Sequence, residues 1–322
     1  MQFTFNEDLY VGLVVMIDID KFIQDTQLSV HEDIREALEW IPYELMKEIS
    51  RLFGITWDPE TKNYIMVLNN KCKKCNKICN SIHFQQKFID WTSGNDHIDK
   101  FIIDTQLSAH KDVKEALEWI SYDKFYDIIY IAKGGFGKVY RANWIDGYII
   151  KWDGENQNWK RYNENMFIAL KSLDNSKNVK LEFMDEIILH NKVKMDNNII
   201  VRFYGMTQDP KTKNYMMVLE YAEDGSLRNY LDKEYNLLNW NKKFEYLQYI
   251  IVGLKSIHEK ELIHRDLHIG NILKFKYKTA ITDMGLCKPA NYNELENAKN
   301  NIYGVLPYIA PEILRGQLYQ SC

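Results

Sequence analysis

A segment that occurs twice in one chain must satisfy its folding requirements twice, and this 322-residue chain holds two such segments. Residues 19–44 read IDKFIQDTQLSVHEDIREALEWIPYE and residues 98–123 read IDKFIIDTQLSAHKDVKEALEWISYD, identical at 19 of 26 positions. Residues 49–68, ISRLFGITWDPETKNYIMVL, match residues 200–219, IVRFYGMTQDPKTKNYMMVL, at 13 of 20. The blocks are joined differently: four residues separate them in the first copy and 76 in the second. The period is not sustained, so a solenoid is excluded. The pattern is that of a partial duplication with an internal deletion. Residues 1–70 then form a remnant without the chemistry that lies between Lys124 and Ile199.

Apolar residues make up 46% of the chain and charged residues 27%, enough for a core and too few charges for wholesale disorder. The net charge of −4 gives no electrostatic footprint for nucleic acid. The best apolar run, Val11 to Ile19, is too short for a membrane span and already contains Asp18. Glu7 and Asp8 stand where a secretory signal would be basic. Five cysteines, three of them clustered, fit a reduced thiol set better than a disulfide framework, so the expected location is cytoplasmic.

Apolar spacing predicts helices over Asp112–Ile120, over Val179–Val193 and from Asn239 onward, where Trp240, Phe244, Leu247, Ile251, Leu254 and Ile257 recur three or four apart. Phe125–Ile131 and Gly147–Trp152 read as strands, and Ile199–Tyr204 with Asn214–Tyr221 as a hairpin across Gln208-Asp209-Pro210. Strands first and helices later indicate an α+β, two-lobed protein.

The chemistry-bearing residues come in order. Ile131-Ala132-Lys133-Gly134-Gly135-Phe136-Gly137-Lys138-Val139 is a glycine-rich turn that could bring backbone N–H groups close to phosphate oxygens; alone it reads rather as an ordinary hairpin. Lys151 follows in an apolar strand, and Glu186 lies in the helix 179–193, where the two could pair. His264-Arg265-Asp266-Leu267-His268-Ile269-Gly270-Asn271 precedes Asp283-Met284-Gly285 and Ala310-Pro311-Glu312. Asn271 and Asp283 offer hard oxygen ligands suited to Mg²⁺.

Five motifs in this order resemble a eukaryotic protein kinase, close to the tyrosine-kinase-like serine/threonine group, from about Phe125 onward. The leader before it resembles those of an expanded fungal set of such kinases. The resemblance implies a two-lobed kinase fold binding Mg-ATP and acting on a protein substrate, in intracellular signalling, with no nucleic-acid or membrane partner. It implies Asp266 as catalytic aspartate, His268 beside it, Lys151 as phosphate-anchoring lysine with Glu186 its partner, and Asn271 and Asp283 as metal ligands. Ala132, Gly134 and Gly137 take the three glycine positions, Leu219 the gatekeeper position, and Glu220, Tyr221 and Ala222 the segment beside the adenine. The expected organisation is 1–70 remnant, 71–95 Cys/Lys-rich linker, 96–124 helical leader and 125–322 kinase domain, with N-lobe 125–222 and partial C-lobe 223–322.

Several positions depart from the family pattern. Ala132 replaces a glycine, Met284 a phenylalanine, His268 a lysine and Val305 a threonine. Between Gly285 and Ala310 there is no Ser or Thr, so only Tyr292, Tyr303 and Tyr308 could carry a switching phosphate. The sequence runs ten residues past Glu312, where a family member continues for on the order of a hundred. The expectation is an incomplete helical C-lobe, an uncovered stripe at Phe244, Leu247, Ile251 and Leu254, and weak transfer or a non-catalytic ATP-binding scaffold. Finally, Cys72, Cys75, Cys79 and His83 are zinc-type ligands, set among lysines that oppose a cation; the other reading is a reduced, solvated linker.

Overall fold

The computed structural model describes residues 16–17, 52–58, 63–68, 71–72, 74–134, 137–173, 176, 179, 181–193, 199–289, 305–309 and 311–315. By internal contacts the chain divides into two compact units, Met1–Gln86 and Lys87–Cys322.

In the first unit, β1 (Met16–Ile17), β2 (Leu52–Asp58) and β3 (Asn63–Leu68) form an antiparallel sheet in the order β1-β3-β2. After it comes helix α1 (Asn80–Gln85), which buries Ile82 and Phe84. The stretch expected to be a solvated linker is therefore folded in part, because its apolar side chains find cover.

The second unit begins with α2 (Asp96–Ser108). Asn95 caps it, its side chain accepting from the amides of His97 and Ile98. Ile98 and Ile102, one turn apart, are fully buried in a core that also contains Phe183, Ile187, Val201, Phe203, Met206 and Met217. The leader is thus part of the small lobe's core and no separate element. The helix expected over Asp112–Ile120 does not form. A 3₁₀ turn at Val113–Glu115 and a short strand β4 (Glu118–Trp119) stand there instead. The reason lies in Leu117: its N–H donates to Thr105 Oγ1 at 3.0 Å and its carbonyl accepts from Gln106 Nε2 at 2.7 Å. With the backbone engaged by α2 side chains, an i→i−4 ladder is not available there.

The main sheet has six strands in the order β4-β10-β11-β9-β6-β5, built from β5 (Phe125–Gly134), β6 (Gly137–Trp144), β9 (Met166–Leu173), β10 (Phe203–Gln208) and β11 (Tyr215–Glu220). Between β6 and β9 the chain makes a separate hairpin, β7 (Tyr148–Asp153) and β8 (Asn158–Tyr162), which pairs only with itself. Helix α3 (Leu181–Lys192) follows β9.

The second repeat is the same hairpin made twice. In β10–β11, Phe203 faces Leu219, Gly205 faces Val218 and Gln208 faces Tyr215, with a bulge between Phe203 and Gly205. In β2–β3, Leu52 faces Leu68, Gly54 faces Val67 and Asp58 lies opposite Asn63, with the same bulge. A shared turn and apolar residues at the same spacing produce the same register, since a one-residue slip would turn every apolar side chain to the wrong face.

The large lobe holds α4 (Leu227–Glu234), α5 (Trp240–His258) and α6 (Pro311–Leu314), with the strand pairs β12 (Leu262–Ile263)–β15 (Lys288–Pro289) and β13 (Ile272–Lys274)–β14 (Thr279–Ile281). Ser226 and Asn239 cap the first two helices. On α5, Ile257 is fully buried and Leu254 packs against the core of Ile200, Leu262, Ile281 and Met284. Trp240, Phe244, Leu247 and Ile251 are exposed, as expected of that stripe except at Leu254. Among the described residues no helix is long and apolar enough to cross a membrane.

Candidate active site

The lysine that meets Glu186 is Lys171, not Lys151. Lys171 Nζ lies 2.6 Å from Glu186 Oε1 and 3.1 Å from Asp283 Oδ1. It stands on β9 in the middle of the main sheet, opposite Val139 on β6 and Met217 on β11. Lys151 is on β7, exposed, opposite Lys160 of the inserted hairpin. Counting from the glycine turn to the first lysine in an apolar strand lands on that hairpin, which interposes two strands. The overlooked signal was Ala169-Leu170-Lys171 in the run Met166–Leu173, which also places Ala169 opposite Leu219 in the same apolar core.

Burial favours a neutral amine at Lys171, yet the two carboxylates beside it win and raise its pKa. Burial likewise opposes the Asp283 carboxylate; Lys171 overcomes it and holds Asp283 below the usual carboxylate range. At Glu186 burial is the stronger effect and raises the pKa against the pull of Lys171. The 2.6 Å contact identifies the charged pair as the resting form.

Asp283 is reached through Met284, which is fully buried among Val193, Ile257, Leu262 and Ile281, with Leu189 of α3 against the same cluster. Methionine therefore fills the position expected for phenylalanine and ties α3 to the loop that carries Asp283. Asp283 and Arg265 both adopt left-handed backbone, φ +66° and +64°, conformations that cost about 1–3 kcal/mol each in a non-glycine residue.

The catalytic-loop residues converge. Asn271 Nδ2 donates to Asp266 Oδ2 and to the Asp266 carbonyl, both at 3.0 Å. His264 is buried; its Nε2 is 3.0 Å from the Thr282 carbonyl and its Nδ1 accepts from the Asp266 amide at 3.3 Å. His268 Nδ1 accepts from the Gly270 amide at 2.9 Å, so the ring proton sits on Nε2, which is 3.7 Å from Asp266 Oδ1. The His268 ring also packs on Tyr308, centroids 5.8 Å apart.

Above these groups, Gly134 and Gly137 close the β5–β6 turn, and Ala132 lies opposite Val139 past a register shift. Ala132 is not among the residues with positive φ, so its methyl is accommodated. Ile131 and Lys133 are exposed, and Val139 packs against the core that includes Leu219, Ala222 and Leu273, with Tyr221 at its edge. Glu220 at the end of β11 pairs with Lys278 at 2.8 Å. Gly135, Phe136, Ala310, Tyr292 and Tyr303, together with the Glu312 side chain, lie outside the described residues. Cys72, Cys75 and Cys79 bring their sulfur atoms within 4.8 Å of one another; His83, the fourth ligand expected from spacing, is not in that group.

The geometry is matched by sequence comparison. The profile of the family "Protein tyrosine and serine/threonine kinase" covers residues 128–322. The chain belongs to this protein kinase family. It is 31% identical over 235 residues to cysteine-rich receptor-like protein kinase 6 of rice, covering 71% of this chain and 30% of that protein. It is 30% identical over 212 residues to a probable serine/threonine-protein kinase of Dictyostelium discoideum, covering 65% of this chain and 11% of that one. A G-type lectin S-receptor-like serine/threonine-protein kinase of Arabidopsis thaliana is 30% identical over 189 residues, 56% of this chain and 21% of its own length. The chain therefore spans less than a third of each relative. The kinase domain has the β-sheet small lobe and helical large lobe that its sequence led one to expect, in an α+β fold.

Proposed function

We propose that this kinase transfers the γ-phosphate of Mg-ATP to serine or threonine hydroxyls of a protein substrate. The observation that carries the reading is Lys171 held between Glu186 and Asp283. A lysine fixed on both sides by carboxylates keeps its charge and has an N–H left over for a phosphate oxygen. The donor set fits a hard divalent cation: Asn271 uses its amide nitrogen on Asp266, leaving its carbonyl oxygen, and Asp283 is an ionised carboxylate. Asn271 and Asp283 would hold Mg²⁺, which neutralises phosphate charge when bound. Val139, Ala169, Leu219, Ala222 and Leu273 supply an apolar slot suited to an adenine ring. Asp266, steadied by Asn271 and His264, accepts the hydroxyl proton and orients the attacking oxygen. His268 presents a neutral N–H beside Asp266 where an ammonium is usual in the family. Similarity to serine/threonine-protein kinases favours serine/threonine over tyrosine.

The test compares two lysine variants in nucleotide binding and in transfer to a generic protein acceptor. Lys171→Met should lower transfer by about 10²–10³-fold, the scale of losing a preorganised charge contact. Lys151→Met should leave it unchanged. The reverse ranking would sink the assignment. Lys171-dependent Mg-ATP binding without any transfer would identify a nucleotide-binding scaffold.

A further inference from the structure

The three cysteines of the first unit are unexplained by phosphoryl transfer. Cys72 is buried and Cys75 and Cys79 partly so, on a segment flanked by exposed lysines. The segment is built as a closed turn. Asn76 N–H donates to the Cys72 carbonyl at 2.8 Å, and Cys72 N–H to the Lys77 carbonyl at 3.0 Å. Asn76 takes the left-handed conformation this requires, φ +54°, which asparagine tolerates better than most residues. The chain then runs straight into α1, with Cys79 at its N-cap and the amides of Ile82 and His83 bonded to the Cys79 carbonyl. This fold brings three sulfur atoms within 4.8 Å of one another without any disulfide.

We infer that Cys72, Cys75 and Cys79 form a structural zinc site, three thiolates completed by one histidine nitrogen. Three features support it. A tetrahedral zinc with bonds of about 2.3 Å needs sulfur atoms about 3.8 Å apart, so the group has only about 1 Å left to close. Cys72 and Cys75 have the two-residue spacing of a zinc knuckle, and backbone amides of Lys74 and Cys75 lie against the Cys72 sulfur as they do around a ligating thiolate. Three thiolates with one Zn²⁺ leave a net charge of −1, and Lys71, Lys74 and Lys77 then offset it, reversing the repulsion expected of a bare cation. Structural sites with three thiolates are completed by a fourth thiolate or a histidine. Cys287 is locked in the core of Ile257, Leu262 and Met284, so among the described residues histidine is left. Each ligating thiol gives up its proton to solvent on binding, so affinity falls in acid.

The test uses the full chain, purified without chelator. About one zinc per chain is expected by elemental analysis, and the Lys171→Met variant should carry the same amount, which separates this site from the nucleotide site. Cobalt substitution of the wild type should give tetrahedral d–d bands and a thiolate charge-transfer band. Cys72→Ser, Cys75→Ser and Cys79→Ser should each weaken that band by about a third, one thiolate of three. His83→Ala, His97→Ala and His110→Ala, made singly, should include one that shifts the d–d bands. A zinc-free wild type that takes up no cobalt overturns the site, as does zinc retained by the triple serine variant. A disulfide among the three cysteines in metal-free protein would also overturn it. A four-thiolate cobalt spectrum, or no response from any histidine variant, overturns the nitrogen ligand.

Discussion

His268 shows how one side chain can take over a position without copying its chemistry. Its Nδ1 is committed to the Gly270 amide, which leaves Nε2–H directed at Asp266. A Cβ added at Gly270 would sit 2.6 Å from His268 Cε1, so the imidazole occupies the space that only glycine leaves free. Gly270→Ala and His268→Ala should therefore both lower the transfer rate, by about tenfold or more, with Mg-ATP affinity little changed; kcat and nucleotide Kd measured together check this. A nearby histidine governs acid sensitivity. Burial lowers the pKa of His264 below its ordinary value, outweighing the Thr282 carbonyl that favours its charged form. A folded pKa below the unfolded one means the unfolded chain binds the extra proton. Stability from this group is present above the unfolded value of about 6.5 and declines as pH falls below it. Melting temperature should drop between pH 7 and pH 5, and a flat profile would contradict a neutral buried His264. Lys151 and Lys171 complete the residue scale. Both follow apolar residues in a strand, and the small residue two places before Lys171, Ala169 against Ile149, is the one local difference. Only the strand that enters the main sheet brings its lysine to Glu186.

Elements in this kinase are legible where their apolar pattern stands alone and obscure where another element takes their backbone. Helix α5 and its cap Asn239 follow from the spacing of Trp240 to Ile257. The stretch 112–120 carries the same kind of spacing and is not helical, because Thr105 and Gln106 claim the Leu117 backbone and β4 pairs in parallel with β10. That pairing explains a glycine. Gly205 faces Glu118 across the pair, and a Cβ there would lie 2.0 Å from the Glu118 carbonyl oxygen. Gly205→Ala must push β4 away or break the pair, costing about 1–3 kcal/mol as overpacking does, read as a lowered denaturation midpoint with the slope unchanged. If Gly205→Ala melts like the wild type, the close approach is not structural. The leader helix α2 acts at the same scale. Ile98 and Ile102 share a core with Phe183 and Ile187 of α3, so the helix bearing Glu186 is packed by residues that precede the catalytic domain proper.

The whole molecule is two compact units, and the duplication sits across them. The β2–β3 hairpin of the first unit repeats the β10–β11 hairpin of the second down to its bulge. The first unit has no counterpart of the glycine turn, Glu186, Asp266 or Asp283 in its sequence. A variant lacking residues 1–70 should keep Mg-ATP binding within about twofold, because every group proposed to touch nucleotide belongs to the second unit. Loss of binding in a folded variant of this kind would give the remnant a role in the site. The exposed row Trp240, Phe244, Leu247 and Ile251 on α5 stands out at this scale too, an apolar surface that α5 does not bury within the described residues.

The sequence by itself determined the protein's class and most of its working parts. Asp266, Asn271, Asp283 and Glu186 fall in short motifs whose spacing is set by one loop or one helix, so local order already brings each into place. It also determined the duplicated hairpin, since the shared turn and the same apolar spacing impose the same register. Tertiary structure alone decided two things: which lysine meets Glu186, and whether residues 112–120 coil or pair. Each depends on contacts between segments far apart in the chain, where a hydrogen bond or an ion pair made across space overrides the preference written locally.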